Sequence, residues 1–333
     1  FFAGSIEIFQ PLGSNPLVVS KTNDKILWVF LRFSLNRLFF LWLLVLLGSR
    51  FLGNIHGTAE SRSVWISVLY IIIRQVEKNI GKYLAHQENL IILAARPSTG
   101  KSGLALGFAY GAALMNRKNV GIFSLEMSKD EIIGRMLSSA AMVDGQRLRT
   151  GRLSQDDWPR IGNAADKLAQ CKIFIDDSEG VTVAEMRTKS RRLKSRAGLD
   201  LVVIDYIQLM EGMPGRKRDE NRVQELSAIS RSLKLMARDL EVPLVILSQL
   251  NRSPDQRPDK HPMLSDLRES GAIEQDADMV LMLYRDEYYN KDTEEKGITD
   301  LDIAKHRNGP TGRVKLAFLD RYAKFDNLAP DRD

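Results

Sequence analysis

The feature that most constrains the fold is a short polar run between a strand pattern and a helix pattern. Residues 90–94 form a continuous apolar stretch, and residues 103–114 carry small and apolar side chains at helical spacing. The run between them reads Ala95, Arg96, Pro97, Ser98, Thr99, Gly100, Lys101 and Ser102. In a strand, loop and helix of this kind, successive backbone N–H groups surround phosphate oxygens. The pattern therefore predicts an α/β fold with a phosphate-binding loop.

Two side chains of this loop have specific chemistry. A lysine in the position of Lys101 reaches the β and γ phosphates of a nucleotide, and the hydroxyl of Ser102 ligates Mg²⁺. ATP and Mg²⁺ are therefore the predicted cofactors. The general pattern has glycine where Ala95 stands, so Ala95 must adopt the turn without positive φ, or the loop is distorted. The alternative, a turn that happens to precede a lysine, is disfavoured by the flanking strand and helix.

Composition sets loose limits on partners and compartment. The chain has 333 residues and 44% hydrophobic residues, enough to bury a full core. Its net charge of +6 permits a polyanionic partner without requiring one. Six basic residues crowd residues 187–196, a run typical of a solvated helix face. Cys171 is the only cysteine, which excludes a disulfide within one chain and suits the cytoplasm.

The first eighty residues differ from the rest in charge density and in the spacing of the residues that end helices and strands. Residues 26–52 are strongly apolar, but the longest uncharged run, residues 38–49, would span only about 18 Å as a helix. A hydrocarbon core is ~30 Å thick, so a membrane span is not favoured. A buried or interfacial helix, a membrane-associated segment and a foreign leader remain open, and the different composition favours the last. We assign residues 1–60 to this leader, residues 61–87 to a linker helix and residues 88–330 to a catalytic domain.

Within this domain, strand patterns alternate with helix patterns, which predicts a mainly parallel sheet with helices around it. The predicted strands are residues 90–94, 120–125, 172–176, 201–205, 244–248, 279–283, 301–305 and 314–318. The last two form an antiparallel hairpin around residues 308–310. Ser128 and Glu131 predict a capping box, and residues 222–240 a helix. Ligands of such sheets bind at the carboxyl ends of the strands.

Three polar residues at strand ends are candidates for hydrolysis. Asp205 ends an apolar strand, where a carboxylate can support Mg²⁺, although such a residue is often only the start of a turn. Glu126 is the candidate for a buried carboxylate that polarises the attacking water, and its alternative role is a charge at a helix N-terminus. Gln249 is either a γ-phosphate sensor or a turn residue.

Six blocks together resemble the C-terminal motor of DnaB-type replicative helicases. They are residues 94–98, 123–127, 204–209, 248–252, 266–278 and 305–310, in order and at the expected spacing. The resemblance extends from about residue 88 to about residue 330. The family accepts alanine at the position of Ala95.

The resemblance implies a RecA-like P-loop ATPase that forms a hexameric ring on single-stranded DNA and unwinds duplex in the 5′ to 3′ direction. Primase and a helicase loader are the implied partners during DNA replication. Glu126 would activate water and Gln249 would read the γ-phosphate. Lys305 and Arg307 would act in the neighbouring subunit's site, where an arginine stabilises transition-state charge.

The resemblance also places two segments in the central channel. Residues 210–221 contain Arg216 and Lys217, and residues 251–271 contain Arg268, Glu269 and Gly271. Neither segment shows an aromatic ladder, so we expect contact with the phosphate backbone, which is independent of base sequence.

Two other functions stay open on the residues alone. A RecA-like DNA-binding switch or recombination protein would bind ATP without unwinding, but residues 268–271 and 305–307 favour the helicase. A defective remnant would have lost catalytic residues, and every presumed one is present.

Overall fold

The computed structural model describes residues 88–328, apart from residues 206, 208, 209 and 211–221, and leaves out the side chains of residues 222, 223 and 268–272. All these residues belong to one compact unit, Gln75–Asp333. The proposed leader and linker helix lie outside the described residues.

The elements alternate between strand and helix along the chain, as predicted. They are β1 (Leu90–Ala95), α1 (Lys101–Met115), β2 (Val120–Ser124), α2 (Lys129–Ala141), α3 (Gly145–Thr150), α4 (Asp157–Ala169), β3 (Ile173–Asp176), α5 (Val183–Ala197), β4 (Leu201–Asp205), α6 (Arg222–Leu240), β5 (Leu244–Gln249), α7 (Ser253–Gln256), α8 (Gly271–Asp276), β6 (Met279–Tyr284), α9 (Asp286–Tyr289), β7 (Ile298–His306), β8 (Gly312–Leu319) and β9 (Lys324–Asn327). Two 3₁₀ helices, Leu264–Ser270 and Asp320–Tyr322, complete the set.

The strands form one sheet in the order β3-β2-β4-β5-β1-β6-β7-β8-β9. Neighbours from β3 to β6 pair in parallel, and the pairs from β6 to β9 are antiparallel. All eight predicted strands and the predicted hairpin are confirmed. Strand β9 was not predicted, because its four residues, Lys-Phe-Asp-Asn, contain no apolar run or alternation.

The central strand β1 is buried on both faces, as its continuous apolar sequence requires. Ile91 and Leu93 pack in the cluster that includes Leu104 of α1. Ile92 packs in the opposite cluster, with Leu233 of α6. Helices on both faces thus fix the strand that leads into the phosphate loop.

Helix starts follow the local sequence. The Ser128 hydroxyl accepts a hydrogen bond from the Glu131 N–H (3.3 Å), but the Glu131 carboxylate accepts from Arg135. A reciprocal capping box forms instead at Thr182 and Glu185, at the start of α5. Over the described part of the chain, no helix combines the length and apolar character that crossing a membrane requires.

Candidate active site

The phosphate loop joins β1 to α1 in the predicted geometry. Ala95 is the last residue of β1 and is not among the residues with positive φ, so it fits without distortion. Gly100, before α1, has φ 101°, a conformation that favours glycine. The Thr99 hydroxyl donates to the Arg96 carbonyl (2.7 Å) and closes the turn. No side chain caps α1, so its first N–H groups are available to a phosphate.

Lys101 and Asp205 place opposite charges beside this loop. Burial lowers the pKa of Lys101, while the nearby Asp205 and Glu126 carboxylates oppose that change. Burial raises the pKa of Asp205, against the effects of the Lys101 charge and of a hydrogen bond from Ser102. Both carboxylates therefore lie within electrostatic reach of the Lys101 ammonium.

Ser102 and Asp205 fit a magnesium ion. Asp205 is 5% exposed, and its Oδ1 atom is buried without a hydrogen-bond partner in the structure. Mg²⁺ prefers oxygen ligands and is commonly held by one or two carboxylates together with substrate phosphates and waters. No cluster of three or more acidic, histidine or cysteine side chains that could hold a metal occurs among the described residues. Phosphate oxygens would thus have to complete the coordination.

Glu126 follows β2 in a turn, and it is exposed rather than buried. The expectation of a buried carboxylate is therefore wrong, because Glu126 lies in the bend after the strand and not in the buried strand itself. The Ser124 hydroxyl donates to the Met127 carbonyl (2.6 Å) and accepts from the Met127 N–H (3.1 Å), which fixes the turn. Ser124 is also the register partner of Asp205. The carboxyl ends of β2 and β4 thus bring both carboxylates to the same place.

Gln249 ends β5, as predicted, and its side chain is exposed. It is the register partner of Ala95, so it lies beside the start of the phosphate loop. We call the residues Lys101, Ser102, Glu126, Asp205 and Gln249, at the carboxyl ends of the parallel strands, the nucleotide edge.

The Arg96 side chain points away from the phosphate position. Its Nε and Nη2 atoms donate to the Asp255 carboxylate (3.2 and 2.7 Å), and Nη1 donates to the Leu250 carbonyl (2.9 Å). Only its backbone remains for a nucleotide. Arg96 instead anchors the loop to the segment after β5, a contact that sequence spacing could not indicate because the partners are 159 residues apart.

Lys305 and Arg307 lie at the opposite end of the sheet, beside the amino ends of the parallel strands β1 and β6. His306, between them, pairs with Met279 at the amino end of β6, and Met279 pairs with Ile91 near the start of β1. Since β1 rises ~3.3 Å per residue, the phosphate loop after Ala95 lies at least about 13 Å farther along the sheet. We call Lys305 and Arg307 the arginine edge.

At the arginine edge both cations contact the end of α8. Lys305 Nζ donates to the Glu274 carbonyl (2.6 Å), and Arg307 Nη2 donates to the Gln275 carbonyl (2.5 Å). Cations are favoured at a helix C-terminus, where carbonyl groups lack helical partners. Burial, followed by the neighbouring Arg307 charge, lowers the pKa of Lys305.

The predicted DNA residues are only partly covered. Arg216 and Lys217 lie outside the described residues. Arg268 and Glu269 fall in the 3₁₀ helix Leu264–Ser270, and Gly271 begins α8, but the structure describes no side chain there.

The segment that leads to these residues is held by an ion pair between a partly buried arginine and a buried aspartate. Both terminal nitrogens of Arg257 donate to the Asp266 carboxylate (2.9 and 2.7 Å). Asp266 is 2% exposed, and its carboxylate also accepts from the Met263 N–H. These contacts tie together the two ends of residues 257–266, which precede Arg268.

The basic run on α5 forms the helix face that its composition indicates. Arg187 and Arg191 both contact Asp239, and Lys189 contacts Asp176. Lys194 lies within 3.7 Å of Glu241. These contacts tie α5 to neighbouring elements and leave little reason to read the run as a nucleic-acid site.

A contact between the last strand and the phosphate loop was missed. A Cβ atom added at Gly100 would lie 2.8 Å from the Phe325 ring, and one at Gly103 would lie 2.8 Å from the Ala323 carbonyl oxygen. Phe325 in turn packs on Phe318 of β8, with ring centroids 4.7 Å apart. In the sequence, only the glycines at positions 100 and 103 could have indicated this close contact. Glycine is too common to show which segment packs against it.

The comparisons with known proteins agree with this geometry. The sequence profile of the family described as "DnaB-like helicase C terminal domain" matches residues 80–327. The replicative DNA helicase DnaB of Geobacillus stearothermophilus is 54% identical over 242 residues, which are 73% of this chain and 53% of that protein. The chain thus spans about half the length of the curated relatives that it matches.

Two solved structures are also similar. A DnaB-like replicative helicase, described with its interactions with primase, has a TM-score of 0.70 and 42% identity, over 74% of this chain and 60% of that one. The second is the structure of an ATPase domain, which has a TM-score of 0.70 and 37% identity, over 83% of this chain and 100% of that one. The predicted RecA-like α/β fold is confirmed.

Proposed function

The chain belongs to the family of DnaB-like helicase C-terminal domains, and we propose that it is the ATP-hydrolysing motor of a replicative DNA helicase. In this proposal it moves along single-stranded DNA in the 5′ to 3′ direction and unwinds the duplex ahead. Hydrolysis takes place between subunits of a homohexameric ring in the cytoplasm.

The separation of the two edges is the observation that carries the proposal. Lys101, Ser102 and Asp205 come together within one chain, whereas Arg307 lies at the far end of β1. An arginine side chain reaches only about 7 Å from its backbone, which is less than the length of the strand. Arg307 can therefore serve a phosphate loop only if that loop belongs to another subunit.

Each residue of the nucleotide edge has a step to perform. The Lys101 ammonium holds the β and γ phosphates, and its positive charge is supported by the carboxylates of Asp205 and Glu126. Glu126, exposed at the mouth of the site, takes a proton from the attacking water. Gln249, beside the loop, senses the γ-phosphate through its side-chain amide.

Ser102 and the unpartnered Oδ1 atom of Asp205 would hold Mg²⁺. When bound, the ion neutralises charge that develops on the phosphates. The closeness of the Ser102 hydroxyl to Asp205, which lowers the pKa of that carboxyl against the effect of burial, supports this proposal.

DNA binding is assigned to the two channel segments, with Arg216, Lys217, Arg268, Glu269 and Gly271. Contacts of this kind neutralise phosphates and are independent of base sequence, as an unwinding motor requires. One solved relative is described with its interactions with primase, and we propose primase and a helicase loader as partners here too. The recombination-protein alternative is not supported, because the relatives named above are replicative helicases.

We also propose that the motor corresponds to residues 88–330 and that residues 1–60 take no part in it. The family profile matches residues 80–327, which supports a motor in this part of the chain and leaves residues 1–60 outside the match. Deletion of residues 1–60 should leave ATPase activity and melting temperature close to those of the parent. A large fall in melting temperature on deletion would show that residues 26–52 pack against the motor.

Complementation between two inactive variants tests the proposed function. Arg307→Ala should bind ATP but fail to serve its neighbour, and Lys101→Ala should fail to bind ATP but still present Arg307. Each variant alone should lose ~10³-fold or more in turnover. When they are mixed before assembly, some intact loops face an intact arginine, and activity should exceed that of either parent. No rescue in rings shown to be mixed contradicts the trans role of Arg307.

A further inference from the structure

Asp278 is a buried carboxylate between β1, α6 and the arginine edge. Its side chain is 10% exposed. The Oδ2 atom accepts from the Leu90 N–H (2.7 Å) and from Lys234 Nζ (2.5 Å). Both donors use one oxygen, and the other, Oδ1, lies 3.9 Å from Nη1 of Arg307. A single carboxylate thus faces three separate elements of the fold.

The backbone of Asp278 joins the same elements. Its N–H donates to the Leu90 carbonyl (2.9 Å), and its carbonyl accepts from the Arg307 N–H (2.8 Å). Leu90 begins the strand that carries this subunit's own phosphate loop. Asp278 therefore connects that strand directly to the residue that we assign to the neighbour's site.

The hydrogen bond from the Arg307 N–H fixes the backbone of this residue, but it does not restrict the torsion angles of its long side chain. The side chain is 46% exposed, so packing restricts it little. Three groups of the described part of the chain lie near the guanidinium: the Gln275 carbonyl, which accepts from Nη2, the Asp278 carboxylate and the Lys305 ammonium. Of these three, only the carboxylate carries a negative charge.

We propose that Asp278 is a positioning residue for Arg307. Its Oδ1 atom restrains the guanidinium at the amino end of β6, so that the arginine is presented to the next subunit in a limited set of conformations. Its Oδ2 atom accepts from the Leu90 N–H, and this backbone contact fixes the carboxylate itself. The inference rests on the proposed role of Arg307 in the neighbouring site.

The first test is the steady-state kinetics of Asp278→Asn in the assembled full chain. The amide keeps an acceptor for the Leu90 N–H but removes the charge that faces Arg307. We expect kcat for ATP to fall about fivefold, or ~1 kcal/mol, with an unchanged KM, because the nucleotide edge of the same subunit is intact. A raised KM with an unchanged kcat would show that Asp278 acts through β1 on its own phosphate loop, and would overturn the proposal.

Lys234→Met is the matched control, because it removes the other cation at Asp278 without touching Arg307. Its kcat should stay close to that of the parent. An equal loss of kcat in Lys234→Met would mean that general loosening of this junction explains the effect, and would overturn the proposal.

Mixing with Lys101→Ala separates this inference from the proposed function. In mixed rings, an Asp278→Asn subunit that faces the intact arginine edge of a Lys101→Ala subunit should recover, so turnover per ATP-binding subunit should rise. If Arg307→Ala is rescued by Lys101→Ala and Asp278→Asn is not, Asp278 has no positioning role while the trans role of Arg307 stands. If neither is rescued, or if no rings form, the trans role fails and this inference fails with it.

Asp278→Asn leaves the Lys234 ammonium buried without its carboxylate, which can destabilise the fold. The double variant D278N/K234M removes both charges and repeats the measurement. It should show the same loss of kcat as Asp278→Asn. A parental kcat in the folded double variant would overturn the proposal.

Discussion

At the nucleotide edge, side chains of opposite charge are brought together by neighbouring parallel strands, and they interact with one another within a single chain. At the arginine edge, two cations lie at the end of an antiparallel strand and contact carbonyl groups and one carboxylate of their own chain. The first edge places a buried cation beside two carboxylates, whereas the cations of the second edge contact mainly helix carbonyl groups and lie half-exposed. In the proposed function, this difference corresponds to a division in which one subunit binds the nucleotide and two subunits complete the reaction.

The strongest test of this division compares nucleotide binding by one variant from each edge. Lys101→Ala should weaken binding of a fluorescent ATP analogue by ~100-fold or more, because it removes a half-buried charge that we propose to hold the phosphates. Arg307→Ala should bind with nearly parental affinity, since it lies outside its own subunit's site. Equilibrium titration of both variants at protein concentrations too low for assembly measures both affinities. Equal losses of affinity would mean that the two edges are not separate.

Glu126→Gln tests whether nucleotide binding and ATP hydrolysis depend on different residues of the nucleotide edge. We expect kcat to fall by ~10²-fold or more, the range for a lost general base, with nucleotide affinity retained. Asp130→Asn, an exposed acid in the first turn of α2, is the control for a simple charge at that helix N-terminus. Hydrolysis by Glu126→Gln at the parental rate, or equal losses in both variants, would remove Glu126 from the mechanism.

Arg268→Ala tests the proposed DNA-binding segment, residues 251–271, which ends at the start of α8. The far end of α8 contacts the arginine edge. Loss of one phosphate contact should weaken binding to unrelated single strands several-fold and to equal extents, and should reduce the salt slope by about one. Fluorescence anisotropy over a range of salt concentrations measures both. Arg192→Ala, an exposed arginine on α5, should change neither value. A loss confined to one base composition would argue for base contacts instead.

The sequence was sufficient where local pattern decides structure. Each central strand of the parallel sheet is a continuous apolar run, and the polar residues at the strand ends, such as Asp205 and Gln249, are where the pattern predicted them. Two outcomes could not be predicted, because they depend on contacts that local pattern does not encode. The exposure of Glu126 follows from a turn fixed by Ser124 and Met127, and the contact of Arg96 with Asp255 follows from the way β1 and β5 pair.

Strand β9 is the clearest example of structure that the local sequence does not predict, although it contacts the start of α1 at the nucleotide edge. Its four residues carry no strand pattern, and pairing with β8 creates it. Ala323 and Phe325 then lie against the first turn of α1. This contact with β9 supports the start of α1 at the nucleotide edge, whereas the arginine edge is supported by α8 and Asp278.

Alanine substitutions at two glycines of α1 test this contact, because we expect them to change the free energy of unfolding in opposite directions. Gly103→Ala places a Cβ atom 2.8 Å from the Ala323 carbonyl oxygen, so the backbone must shift and the free energy of unfolding should fall by ~1–2 kcal/mol. Gly107→Ala, one turn later on the same helix, meets nothing within 4 Å and should raise it by ~0.5–1 kcal/mol. Urea denaturation of the two variants and the parent measures both values. Equal stabilisation by the two alanines would show that β9 does not press on α1 in solution, and the nucleotide edge would then depend on the parallel strands alone.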